Sequence, residues 1–225
     1  MPEKKISTMQ EINEALAKQL EVTLNVQLSG LKGQDCIVAG MPAGAIIQVS
    51  GNVGDFFGAL NDGGSLTLNG SAGRFCGDSM SSGELIINGD ALWGVGQYLR
   101  GGTIVVKGDC KGPAGQLMRS GTIVIDGGAG REVGKYMMGG DIVIAGNTGE
   151  RTGENMMGGA IYVKGEVRSL GLNARSSKPT AEDLERLKFV HKQYRLRGLL
   201  DEEAFNDFQK VTAETARPLV GEAPK

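Results

Sequence analysis

The feature that most constrains this chain is an interval. Gly51, Gly70, Gly89, Gly108, Gly127, Gly146 and Gly165 are spaced 19 residues apart, and two further glycine series keep the same step. One runs through Gly64, Gly83, Gly102, Gly121, Gly140 and Gly159, the other through Gly58, Gly77, Gly96, Gly115, Gly134 and Gly153. Composition bias does not produce three phase-locked series, although glycine is abundant at 37 of 225 residues against a usual ~7%. Self-similarity at a fixed period marks a repeat architecture.

The interior of one unit can be read from its apolar positions. Leu66 and Leu68 flank Thr67, Ile142 and Ile144 flank Val143, and Ile161 and Val163 flank Tyr162. That alternation is the signature of a half-buried strand. Two residues after the first glycine come Val53, Ala72, Ala91, Cys110, Ala129, Thr148 and Val167; four residues later come Phe57, Cys76, Val95, Ala114, Val133 and Thr152. Each unit thus offers short inward-facing segments separated by glycines, which reach positive φ without steric cost at corners. The unit is too short for a propeller blade and lacks the helical half of an ankyrin or tetratricopeptide unit. The expected fold is an all-β, single-stranded β-solenoid of about seven 19-residue coils, with equivalent residues stacked at about 4.8 Å. An aromatic content of only 5% suits an interior of small and aliphatic side chains. Met80, Leu99, Met118, Met137 and Met156 share one repeat position and should form an apolar ladder. Gap-filling core is its ordinary role, and a cofactor or partner surface is the alternative.

A solenoid needs closed ends, because terminal coils expose unpaired edges. Thr8 opens a capping-box pattern, T-M-Q-E, ahead of an amphipathic helix to about Leu20. Residues 22–28 then alternate like a strand leading into the first coil. After Gly171 the composition changes: Thr180 is a candidate N-cap for a helix to about Tyr194, with Leu184, Leu187, Val190 and Tyr194 on one face. Asp201 is a candidate cap for a second short helix carrying Phe205 and Phe208. These helices could close the solenoid or pack on another protein. The expected organisation is an N-terminal cap over 1–44, a solenoid over 45–171 and a helical extension over 172–225.

The chemical inventory is sparse. A net charge of −2 argues against nucleic-acid binding, and neither a membrane span nor a signal peptide is evident. Cys36, Cys76 and Cys110 form no C-x-x-C pair, which suits a reducing cytoplasm and no metal site on this chain. The glycine runs at 51–58 and 127–134 are not followed by a helix, as a phosphate-binding loop requires. His191, the only histidine, reads as a solvated helix residue rather than a catalytic base. Asp55, Asp78, Asp90, Asp109 and Glu132 do not together keep one repeat position, as a calcium-binding solenoid would require. A solenoid glycosidase would need a carboxylate pair, which sequence alone cannot assemble. Trp93 and Tyr98, in an irregular turn, mark either an exposed patch or packing on a neighbouring coil. The corner glycines Gly51, Gly58, Gly70, Gly77, Gly89, Gly96, Gly108, Gly115, Gly127, Gly134, Gly146 and Gly153 are the structurally critical residues; no catalytic, cofactor-binding or metal residue is assigned.

At G-N-V-G-D-F-F-G, G-S-A-G-R-F-C-G, G-G-A-G-R-E-V-G and G-N-T-G-E-R-T-G the chain resembles the GXGXG-motif β-helix family over about residues 45–171. That family includes the C-terminal domain of the glutamate synthase large chain and stand-alone subunits of glutamate-synthase-like and N-methylglutamate synthase complexes. It also includes a β-helix component of formylmethanofuran dehydrogenase and of the related formyltransferase/hydrolase complex. The segment 161–171, followed by a charged helix, looks more like the glutamate-synthase-type subunits. Leu92, Lys111 and Arg168 replace the motif's second glycine. The resemblance implies a right-handed β-helix with no chemistry of its own, joining a glutamine amidotransferase to a synthase subunit that carries FMN and iron–sulfur clusters. Self-association is a further possibility. The alternative it implies is a component of a C1-transfer complex acting on formyl carriers.

Overall fold

In the computed structural model, which describes residues 8–196 and 203–216, the 19-residue interval becomes a hydrogen-bond register. Strands β1 (Asn25–Lys32), β2 (Ile46–Asn52), β3 (Asp62–Asn69), β4 (Ser82–Ile87), β5 (Thr103–Val106), β6 (Thr122–Ile125), β7 (Asp141–Ile144) and β8 (Ala160–Val163) pair in parallel, each with the next. Ile123 stands opposite Ile104 on one side and Ile142 on the other, so identical repeat positions meet. The fold is a parallel β-solenoid of about seven turns. Bridges Ala72–Ala91–Cys110–Ala129–Thr148–Val167 run up a second side, and Val95–Ala114 lies on a third. The first coil is longer: Asn25 pairs with Ile46, and the register shifts between Ser29 and Leu31.

The core is the sum of these columns. Ile104, Ile123, Ile142 and Ile161 are fully buried, as are Met80, Leu99, Met118, Met137 and Met156. The methionine ladder is therefore core, and a buried side chain of this size contributes about 1.5–3 kcal/mol. Two threonines replace apolar residues in the sixth repeat. Their hydroxyls satisfy one another, Thr152 donating to Thr148 at 2.9 Å, as burial requires.

Glycine is needed for two different reasons. Gly134 sits at φ +67°, a left-handed corner. Gly146, read from the sequence as another such corner, lacks a positive φ; there a Cβ would lie 2.7 Å from the carbonyl carbon and oxygen of Gly127 in the coil below. Its requirement is close approach of stacked backbones, not a left-handed conformation.

The ends depart from expectation. Helix α1 (Met9–Leu20) forms with the capping box at Thr8 and Glu11. It lays Leu16 on the first coil, and Asn13 accepts from the Val38 N–H and donates to the Cys36 carbonyl. The following strand begins at Asn25 rather than Val22, which is 87% exposed. At the other end β8 is covered by an antiparallel strand, β10 (Gln209–Ala213), and then by β9 (Ala174–Ser177). Helix α2 (Ala181–Tyr194), capped at Thr180, does not close the end. It lies on the outward face of the strands, where Leu187, Val190, Phe205 and Phe208 pack with Val105, Val124, Val143 and Tyr162. Strands β6 and β7 are thus buried on both faces, not half-buried as their alternation suggests. Phe205 belongs to a 3-10 helix, Glu203–Asp207; Asp201 lies outside the described residues.

Candidate functional site

The residue after each unit's first glycine forms a ladder that sequence reasoning missed. Asn52 accepts from the Ser71 N–H (2.9 Å), Ser71 from Asp90 (3.1 Å), Asp90 from Asp109 (2.8 Å), Asp109 from Gly128 (2.9 Å) and Asn147 from Glu166 (2.8 Å). Asp90 and Asp109 do share one repeat position, and each caps the next coil's backbone. The signal was available, since short Asn, Ser and Asp side chains habitually bond nearby backbone. Asp55 does the same work one corner on, accepting from the Arg74 N–H at 2.7 Å.

That next corner changes chemistry along the solenoid. In the last coils it is ionic: Glu132, with a side chain only 13% exposed, pairs with Arg131, Lys135 and Arg151. Burial pushes its carboxyl up, but the hydrogen bond from Lys135 and the nearby positive charges outweigh that and hold it below its ordinary value. In the first coils the corner is aromatic. Phe56 and Phe75 stack at 5.0 Å, Trp93 meets Phe75 edge-on at 4.9 Å, and the Arg74 guanidinium lies 5.2 Å over the indole. Trp93 is both of the things its irregular turn suggested. It packs on Gly112 of the next coil and remains 41% exposed.

Along the strand face, polar groups pin α2. Tyr162 donates to Asp183 (2.7 Å), as does Lys210 (2.8 Å), and Arg186 pairs with Asp141 (3.1 Å). Tyr194 donates to Glu84 at 2.8 Å, and burial, then that bond, raises its phenol to about 12. For Asp183, burial is outweighed by hydrogen bonds from Lys210, Tyr162 and Thr180, and the carboxyl is held well below its ordinary range. Charged groups that satisfy one another in this way build a latch rather than a reactive centre.

The remaining candidates are scattered. Cys76 and Cys110 are buried in separate columns while Cys36 is half-buried. Burial lifts the Cys110 thiol to about 11 and Cys76 further, which makes both poor nucleophiles. Among the described residues no group of three or more His, Cys, Asp or Glu side chains could hold a metal ion. His191 is not simply solvated. Its ring meets Phe205 edge-on at 5.7 Å, and its Nδ1 is buried without a partner among the described residues. Asp78, partly buried, is raised by desolvation against hydrogen bonds from Ser79 and Gln97. A hollow of about 400 Å³ lies between α1 and the first coil, lined by Leu16, Leu20, Val38, Met41 and Ile47. No described helix is long and apolar enough to cross a membrane.

Comparison with known proteins agrees with this geometry. A search of the curated proteins finds no match. Among solved structures, the chain is similar to one from the formyltransferase/hydrolase complex (FhcABCD) of Methylorubrum extorquens, determined in complex with methylofuran. The TM-score is 0.66 at 25% identity, covering 77% of this chain and 68% of that one. The model of the GXGXG motif family matches residues 3–216. The 19-residue coils with their stacked glycines, together with a match spanning nearly the whole sequence, place this chain in the GXGXG motif family.

Proposed function

We propose that this chain is a non-catalytic scaffold subunit of a glutamate-synthase-type complex. In this reading it joins a glutamine amidotransferase to a synthase subunit bearing FMN and iron–sulfur clusters, and supports passage of ammonia between them. The observation that carries the reading is the continuous parallel ladder from β2 to β8, which holds the 19-residue register throughout except for one shift between Asp62 and Ser65 in β3. A body in which every coil is hydrogen-bonded to the next holds two partners at fixed separation, which a flexible linker does not. Family membership supports it as well. The test is reconstitution with the two partner subunits. Omitting this chain should leave glutaminase activity and ammonia-dependent synthesis in place while abolishing glutamine-dependent glutamate formation. Full coupled activity without the chain would overturn the reading.

A second reading is favoured by the likeness to a chain of a formyltransferase/hydrolase complex. There the chain would be a structural component of a C1-transfer assembly. Stable association with a metal-dependent amidohydrolase, rather than an amidotransferase, would decide for it.

A further inference from the structure

We infer that the aromatic corner of the first three glycine-led coils is the surface on which a partner subunit docks, and that this partner presents an apolar knob flanked by carboxylates. The inference rests on the scaffold reading, since it requires a partner.

The solenoid itself does not call for aromatics at this corner. The position held by Phe56 and Phe75 is held by Glu132 and Arg151 in later coils, with the same backbone: φ is +59°, +57°, +58° and +58° respectively. Gly94 shows that glycine fits there as well. Phe56 and Trp93 nevertheless remain 39% and 41% exposed, with Leu92 beside them at 43%. Exposed apolar area is thus gathered at one corner that later coils build from charged side chains on the same backbone, the pattern expected of a recognition surface. The composition also fits. Tryptophan, aromatics and arginine are the residues that dominate binding energy at interfaces.

Charge selects the occupant. Arg74 is exposed and lies over Trp93, and no carboxylate pairs with it among the described residues. Asp55, one repeat below, spends one carboxylate oxygen on the Arg74 backbone N–H rather than on its guanidinium. A second copy docked across a two-fold axis would bring the patch against itself, arginine near arginine. A different protein bearing carboxylates around an apolar projection satisfies both the rings and the guanidinium.

Trp93 is the only tryptophan in the chain, so 5-fluorotryptophan labelling gives one 19F resonance at the centre of the patch. Unlabelled amidotransferase and synthase subunits from the same organism are titrated in, separately and together. Docking at this corner should shift that resonance and shield it from a soluble paramagnetic agent. Arg74→Glu should weaken binding at least tenfold while its circular dichroism and melting temperature match the parent. A complex that forms with the Trp93 signal unmoved and with Arg74→Glu binding normally would overturn the inference and leave the scaffold reading standing. Failure of either subunit to bind the parent chain would overturn both. A resonance that moves with the chain's own concentration, in the absence of partners, would identify the occupant as a second copy and overturn the partner assignment.

Discussion

At the scale of single residues, the two reasons for glycine make separable predictions. Gly40 has φ +70° with nothing within 4 Å of where a Cβ would stand, whereas Gly146 has an ordinary φ and a crowded Cβ site. Asparagine tolerates the left-handed region. Gly40→Asn should therefore cost less than about 1 kcal/mol, while Gly146→Asn should cost about 3 kcal/mol through overpacking. Denaturant unfolding of both variants checks this, and a Gly146→Asn variant no less stable than Gly40→Asn would mean that close backbone approach does not constrain Gly146. The methionine ladder gives a second contrast. Met118→Ala should lose about 2–5 kcal/mol through its cavity, and Met118→Leu less than about 1.5 kcal/mol. A partner-binding ladder would instead tolerate both and lose association.

At the scale of elements, the attachment of α2 is the feature with most at stake. Asp183 is 4% exposed and is held by Lys210, Tyr162 and Thr180. Lys210→Met leaves a buried carboxylate with one charged partner fewer, a change that costs about 3 kcal/mol in such settings. The pH dependence has a definite sign. A carboxyl depressed in the folded state contributes stability that is full above its unfolded value, near pH 4, and that fades as pH falls through the lower folded value. The parent should therefore lose melting temperature on acidification below about pH 4, and Lys210→Met should lose less over the same range. Thermal melts followed by helical circular dichroism at several pH values would show it.

The whole molecule is a one-dimensional stack whose lateral face needs cover. Val105, Val124, Val143 and Tyr162 form an outward apolar column that meets α2 and the 3-10 helix. Truncation after Gly171 removes that cover together with β9 and β10, which close the last coil. The truncated chain should aggregate, as light scattering would reveal, because it exposes both an apolar face and a strand edge. A truncated chain that stays monomeric and keeps its melting temperature would mean that the C-terminal elements are accessory.

Much of this was legible beforehand, and the limit falls at particular residues. The pairing of Ile123 with Ile104 and Ile142 follows from the period, because in a solenoid every neighbour along the axis is one repeat away in sequence. Helix α1 and its capping box were legible too, since capping is local. The outward column was visible as an apolar residue between two others, as at Val124 and Val143, but a two-fold alternation cannot say what covers an outward side chain. The latch from α2 to β8 joins Asp183 to Tyr162 and Lys210, residues 21 and 27 apart that share no repeat relation. Likewise the aromatic corner needed coordinates, because Phe56, Phe75 and Trp93 occupy two different repeat positions and meet only through the stagger of the coils. The sequence by itself determined the coil, its period and its core, because those contacts repeat in register. Where the non-repeating tail lies and which face stays open were decided by tertiary structure alone, because an amphipathic helix specifies that it must be covered but not by what.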